Sequence, residues 1–226
     1  MTERTLDRSL DRRREALLNA TLTHVPFDGW SMRALQAGAA DAGLDSEFIH
    51  RAFPRGPIDA VAYWSTLTDR RMAETLDPAA LAEMRVRDRI VTGVRTRLEL
   101  LAADHEAVRR AATLLALPPN APVAARCVWR TVDAIWRCAG DDAADFNYYT
   151  KRSILAGVYM ATMTYWLQDR SEGNAKTWDF LSRRIDDALK LPKAVEPLTR
   201  PFKSMPNPAE FFRSLRRPGF ARRERW

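Results

Sequence analysis

Apolar residues return every three or four positions along most of the chain, and no stretch alternates with period two, so the pattern predicts an all-α protein. The sharpest segment is Asp145 to Asp169, DFNYYTKRSILAGVYMATMTYWLQD, in which the 15 residues from Ser153 to Leu167 carry no charge. As a helix it has two apolar ridges, one of Ile154, Val158, Thr162 and Tyr165, the other of Leu155, Tyr159, Met163 and Trp166. It is apolar nearly all round, which predicts a helix buried in a core, with an apolar cavity beside it as one possibility. It is shorter than the roughly 20 residues that a bilayer span needs.

The other elements follow from caps and breakers. A first helix is expected from about Asp7 to His24, burying Leu10, Leu17, Leu18 and Leu22 and ending at Pro26-Phe27-Asp28-Gly29. Ser31 caps a short second helix that Gly43 stops, Asp45 or Ser46 opens a third ending at Phe53-Pro54, and Gly56-Pro57 starts a fourth, Ile58 to Leu76. Asp77-Pro78 starts a fifth that reaches about Ala102, and His105 to Leu117 is a sixth. Ala121 to Ala139 is a seventh, with Val128, Trp129, Val132, Ile135 and Trp136 as its apolar face. The uncharged stretch is the eighth, and Asn174 to Leu191 the ninth. Pro192, Pro197, Pro201, Pro206 and Pro208 then predict a linker that does not stay helical for long.

Beyond the linker, NPAEFFRSLRR carries a start signal of its own. Asn207 caps it, Pro208 takes the first position and Glu210 stands three residues after the cap. Phe211, Phe212 and Leu215 fall on one side and Arg213, Arg216 and Arg217 largely on the other, a pattern that suits a helix lying on a membrane surface; docking on the protein's own body is the alternative. The expected division is therefore a three-helix module over residues 1–56, a helical core over 57–191, and a proline-rich linker with a basic amphipathic tail over 192–226.

Charge sharpens that division. The chain of 226 residues has a formal net charge of +7 from 36 Lys+Arg and 29 Asp+Glu. Residues 181–226 hold 12 basic and 5 acidic side chains, so residues 1–180 hold 24 of each and are neutral. The excess sits on the tail, which implies an anionic partner, nucleic acid or an anionic membrane surface. Cys127 and Cys138 share the seventh helix, about 16 Å apart along it, too far to bridge. The start, MTERTLDRSLDRRREALL, is not a signal peptide, and the chain reads as cytoplasmic or as a peripheral membrane protein.

Catalytic chemistry finds no motif. Glu47 and His50 have the Glu-x-x-His spacing of di-iron helices, but such sites need a second copy and two further glutamates. His24 and His105 lack ligand spacing, and no glycine-rich phosphate loop is present, so no metal, no cofactor and no enzyme activity are expected.

Residues 15–62, EALLNATLTHVPFDGWSMRALQAGAADAGLDSEFIHRAFPRGPIDAVA, resemble the helix-turn-helix start of the TetR repressor superfamily. If that resemblance extended to function, Ser46 to Phe53 would enter the DNA major groove. Residues 1–56 hold eight arginines against eight acids, however, so the module offers little to phosphates and nucleic acid is disfavoured.

The run DFNYYTKRSILAGVYMATMTYWLQDRSEGNAKTWDFLSRRIDD resembles the signature of the ubiquinone-biosynthesis accessory proteins, the ninth Coq protein family. The resemblance implies a TetR-like helical bundle that binds an isoprenoid lipid or quinone precursor and assists a ubiquinone-pathway hydroxylase. By the same resemblance Asp145, Asn147, Tyr148 and Tyr149 form the partner-binding patch, with Tyr148 where the family typically has Trp; the alternative is an Asp145 cap with tyrosines packed on a neighbour. Ile154, Leu155, Val158, Tyr159, Thr162, Met163 and Trp166, interleaved with Ala156, Gly157 and Ala161, suit the lining of a lipid site or, equally, close helix packing. A homodimer through the last two large helices is expected by analogy with TetR proteins. The alternative function is that of a TetR-type, ligand-responsive regulator.

Overall fold

Each of the first turns closes as its residues dictate. The structure is a computed structural model that describes the backbone of residues 3–141 and 146–199, with side chains over 9–141, 148–188 and at 190. Helix α1 spans Glu3–Asp28, α2 Met32–Asp41, α3 Ser46–Ala52 and α4 Pro57–Thr75. Ser31 Oγ accepts from the Ala34 N–H and Asp45 Oδ1 from the Phe48 N–H, so both expected caps are in place. Helix α2 ends in a Schellman motif: Gly43 has φ +63°, its N–H donates to the Ala40 carbonyl and that of Leu44 to the Ala39 carbonyl. Gly38 lets α2 lie on α1, since a Cβ there would come within 2.5–2.7 Å of Thr21, part of it backbone.

The core follows as α5 Pro78–Ala82, α6 Val86–Leu100, α7 His105–Leu115, α8 Ala121–Cys138, α9 Phe146–Trp166 and α10 Ala175–Thr199. Among the described residues every regular element is helical, as the periodicity predicts. Helix α4 packs on α6 and α8, α8 packs on α9, and α1 on α2 and α7. Val94, Leu98, Val132, Ile135 and Leu181 are fully buried where these faces meet. Contacts group the chain into two units, residues 1–186 and 187–226.

Four expectations change. Helix α1 continues through Pro26 to Asp28; the proline removes one bond, to the Leu22 carbonyl, in the last turn only, while its own carbonyl accepts from Arg110. Leu10 is exposed and Leu22 only half-buried, whereas Leu17 and Leu18 are fully buried. The expected fifth helix is two, α5 and α6, broken at Glu83–Arg85 where no glycine or proline stands. Arg89 makes the break possible by donating to the carbonyls of Ala82, Met84 and Ala139, which satisfies helix-end acceptors that would otherwise lack partners. Finally, α10 runs past Leu191 through Pro192 and Pro197 to Thr199, so the helical backbone extends into the stretch expected to be linker.

The uncharged helix is also one-sided. Arg152, Leu155, Tyr159, Thr162 and Trp166 are buried at a three-four spacing, while Ser153, Gly157, Met160, Ala161, Thr164 and Tyr165 face outward on α9. A lack of charge all round therefore does not mean burial all round. Tyr165 stacks on Phe180 of α10, centroids 4.8 Å apart and planes within 7°. Asp169 joins the two helices: it accepts from the N–H and hydroxyl of both Thr177 and Ser171, which holds its carboxyl far below the ordinary range.

Candidate functional site

The polar start of α9 is organised by one arginine. Arg152 is almost wholly buried, with Nε 2.7 Å from Asp133 and Nη1 3.2 Å from Asp141. Its guanidinium lies 3.5 Å from the centroid of the Tyr148 ring, whose hydroxyl donates to Asp133 at 2.9 Å. Arg137 also pairs with Asp133, and Lys151 with Asp141. Burial pushes both carboxyls up, but the bonds from Arg152 and Tyr148 to Asp133, and from Lys151 and Arg152 to Asp141, outweigh it and lower both pKa values. The Tyr148 phenol is raised, chiefly by its bond to Asp133.

An aromatic surface stands on this base. Tyr149 is 63% exposed, packs edge-on against Tyr148 and stacks on Trp129 of α8 with centroids 6.0 Å apart. Of the four expected partner residues, Tyr148 and Tyr149 are brought together here; Asp145 and the side chain of Asn147 lie outside the described residues. Trp129 joins them from a face that the periodicity assigns to the core, and the only hint in the sequence is that a large aromatic sits beside Arg130 at its edge.

Farther along α9, a cavity of about 260 Å³ opens between α4, α6, α7, α8 and α9. Its walls are apolar, with Val61, Trp64, Val108, Leu115 and Val128 among them, and exposed Met160 and Ala116 mark its mouth. Tyr159 and Met163 line it. Leu155, Thr162 and Trp166 are buried on the same side of α9 but outside the lining, Trp166 against the His105 ring at 4.6 Å, and Ile154 and Val158 are half-buried.

One wall of the cavity is polar and self-neutralising. Arg97 donates from Nε to Asp69 at 2.7 Å, from Nη1 to the Tyr159 hydroxyl and from Nη2 to Ser65 Oγ at 3.1 Å. Thr131 donates to the same carboxylate. Burial works against the Arg97 charge, but Tyr159 and Asp69 beside it more than offset that and raise its pKa, so it stays charged. Burial also raises the Tyr159 phenol and the Cys127 thiol, which keeps both protonated. With the Arg97 charge balanced by Asp69, the cavity suits an uncharged apolar guest.

Several charges of the N-terminal module are committed to other parts of the protein. Asp11 and Glu15 pair with Arg70 and Arg71 of α4, Arg13 lies over Phe48, and Arg14 over Tyr63. Among the described residues no three His, Cys, Asp or Glu side chains gather where they could hold a metal ion, and no helix is long and apolar enough to cross a membrane. Both cysteines lie in α8 as free thiols. Phe211, Phe212, Leu215, Arg213, Arg216 and Arg217 lie outside the described residues.

Residues 121–192, which contain α8, α9 and much of α10, match the model of the family described as COQ9. The mitochondrial ubiquinone biosynthesis protein COQ9 of Drosophila melanogaster is 36% identical over 186 residues, 80% of this chain and 57% of that protein. Its Homo sapiens counterpart is 33% identical over 182 residues, 77% of this chain and 57% of that protein. The chain thus spans less than two thirds of the length of these relatives. In structure it is similar to a TetR transcriptional regulator from Nitrosomonas europaea ATCC 19718, with a TM-score of 0.63 at 21% identity, covering 78% of this chain and 97% of that one; this likeness shows the fold. Residues 121–192 thus carry the COQ9 family domain, and the chain is related to COQ9 proteins along most of its length, on a TetR-like fold.

Proposed function

We propose that the chain is a lipid-binding accessory protein of ubiquinone biosynthesis. It takes an isoprenoid quinone precursor from a membrane into the cavity beside α9 and presents it to a hydroxylase docked on the aromatic start of that helix. The observation that supports this reading best is the cavity itself: apolar, uncharged in sum, and open at Met160. Apolar burial at roughly 25 cal/mol per Å² gives a greasy ligand a reason to leave water, and the balanced Arg97–Asp69 pair gives an anion none. The relatives' name supplies the pathway.

The remaining parts follow from surface chemistry. Tyr149 and Trp129 offer the exposed aromatic area typical of a protein hot spot. The basic tail, with Phe211, Phe212 and Leu215 beside Arg213, Arg216 and Arg217, holds the protein at the periphery of an anionic inner membrane. A homodimer through α9 and α10, by analogy with TetR proteins, belongs to the same reading. No bond chemistry is assigned to the chain; its work is transfer.

Organic extraction of the purified protein followed by mass spectrometry tests the reading. An isoprenoid quinone or its precursor is expected in the extract, and a deletion strain should hold less ubiquinone. An empty extract together with unchanged ubiquinone would overturn it. Operator-specific DNA binding at physiological salt would instead favour the repressor alternative, against which stands a neutral module whose Arg13 and Arg14 lie over the rings of Phe48 and Tyr63.

A further inference from the structure

The polar wall of the cavity is two hydroxyls held by one guanidinium. Arg97 can only donate, and its two terminal nitrogens donate to Tyr159 and to Ser65, so each hydroxyl oxygen is occupied as an acceptor and its proton must go elsewhere. In both cases a sulfur stands nearby. The Tyr159 hydroxyl meets the Met163 thioether at 3.6 Å, and the Ser65 hydroxyl lies near enough to the Cys127 thiol to act on its pKa, both residues lining the cavity. Sulfur is a weak acceptor, so both protons are poorly matched in a site where a good acceptor would gain by replacing it. The other polar groups nearby are committed: Thr68 donates to the Trp64 carbonyl and Thr131 to Asp69.

Size and charge narrow what that acceptor belongs to. A cavity of 150 Å³ accommodates benzene, so about 260 Å³ takes a six-membered ring with small substituents but not a long isoprenoid chain. With Asp69 balancing Arg97, a carboxylate or phosphate would lose its hydration and bring an unbalanced negative charge into a site that is already neutral in sum. We infer that the ligand enters ring first, seating a carbonyl or ether oxygen of an uncharged ring on the Tyr159 and Ser65 hydroxyls and leaving its tail at the Met160 mouth. This rests on the cavity being the lipid site, and it makes Tyr159 and Ser65 the residues that select an oxygenated ring over a plain hydrocarbon. The ring is then shielded from water during transfer and emerges only on release.

The test uses the full chain and two probes with the same ten-carbon isoprenoid tail, one ending in 1,4-benzoquinone and the other in phenyl, titrated by calorimetry. The wild-type protein is expected to bind the quinone probe about tenfold more tightly, the worth of one well-made hydrogen bond in a dry site. Tyr159→Phe should remove most of that preference and move the phenyl probe by less than about twofold. Ser65→Ala, at a half-buried position, should remove about half of the preference on a logarithmic scale and keeps the test decisive if Tyr159→Phe does not fold. Equal affinity for the two probes in the wild type, or a preference that survives the folded variants, would overturn the ring-first inference while leaving the cavity as the lipid site. Failure of both probes to bind, or binding that persists when Ala112→Phe fills the cavity, would overturn both readings.

Discussion

Beside helix α9 a buried arginine, an aspartate and a tyrosine come together twice, and the two arrangements differ in where the phenol proton goes. At its start, Tyr148 donates to Asp133 and Arg152 covers the ring; in its middle, Arg97 donates to the Tyr159 oxygen and the proton faces the Met163 sulfur. Tyr149 and Tyr159 are about 15 Å apart along the helix axis. At the start Tyr148, Lys151 and Arg152 are engaged with Asp133 and Asp141, and the exposed Tyr149 stacks on Trp129 above them. In the middle one donor is poorly matched, and beside it is empty space. On the proposed reading the same residue types make a docking base in one place and a recognition site in the other, decided by whether a carboxylate or a sulfur lies next to the hydroxyl.

The largest expected effect breaks the start of the helix. Arg152→Met leaves Asp133 and Asp141 facing each other with their main buried counter-charge removed, and should cost about 3 kcal/mol, lowering Tm by roughly 6–12 °C in a thermal melt. Next, Ala112→Phe fills the cavity and should reduce the lipid recovered in organic extracts at least about tenfold, with Tm moving by no more than about 2 °C. Tyr149→Ala should weaken capture of the partner hydroxylase by about tenfold, measured by surface plasmon resonance, and change stability by less than about 0.5 kcal/mol because the side chain is mostly exposed. The smallest effect is confined to acid. Asp133 and Asp141 have folded-state pKa values below the ordinary carboxylate value of about 3.9. Their contribution is complete above that pH and is lost as pH falls through the depressed values, so an Asp133→Asn variant should show a flatter acid limb than the wild type in urea midpoints measured between about pH 5 and 2.5.

Local signals in the sequence carried the module and failed at tertiary contacts. Ser31, Gly43, Asp45 and Pro57 act within a turn of themselves, so their caps and stops were legible. The break between α5 and α6 was not, because the groups that end α5 are satisfied by Arg89 from the next helix rather than by any nearby glycine or proline. On α9, Tyr159 and Met163 were legible as lining, since large side chains next to small ones suggest a cavity. Leu155 and Trp166 share their ridge and pack against neighbours instead, and a ridge alone does not reveal where the space is. Arg152 reads as the charged edge of an apolar run; its burial depends on Asp133 and Asp141, which arrive from α8 and the loop after it. Arg97, Ser65 and Asp69 were missed for the same reason, three polar residues on separate turns of α4 and α6 that become one wall only in the fold.

The central claim is that α9 carries a docking surface and a ligand cavity that work separately. Mass spectrometry of organic extracts from purified wild type, Tyr149→Ala and Ala112→Phe tests it most directly. An isoprenoid quinone or its precursor should be present in the first two at similar amounts and depleted in the third. An extract that is empty for the wild type, or equally full for Ala112→Phe, would contradict the account.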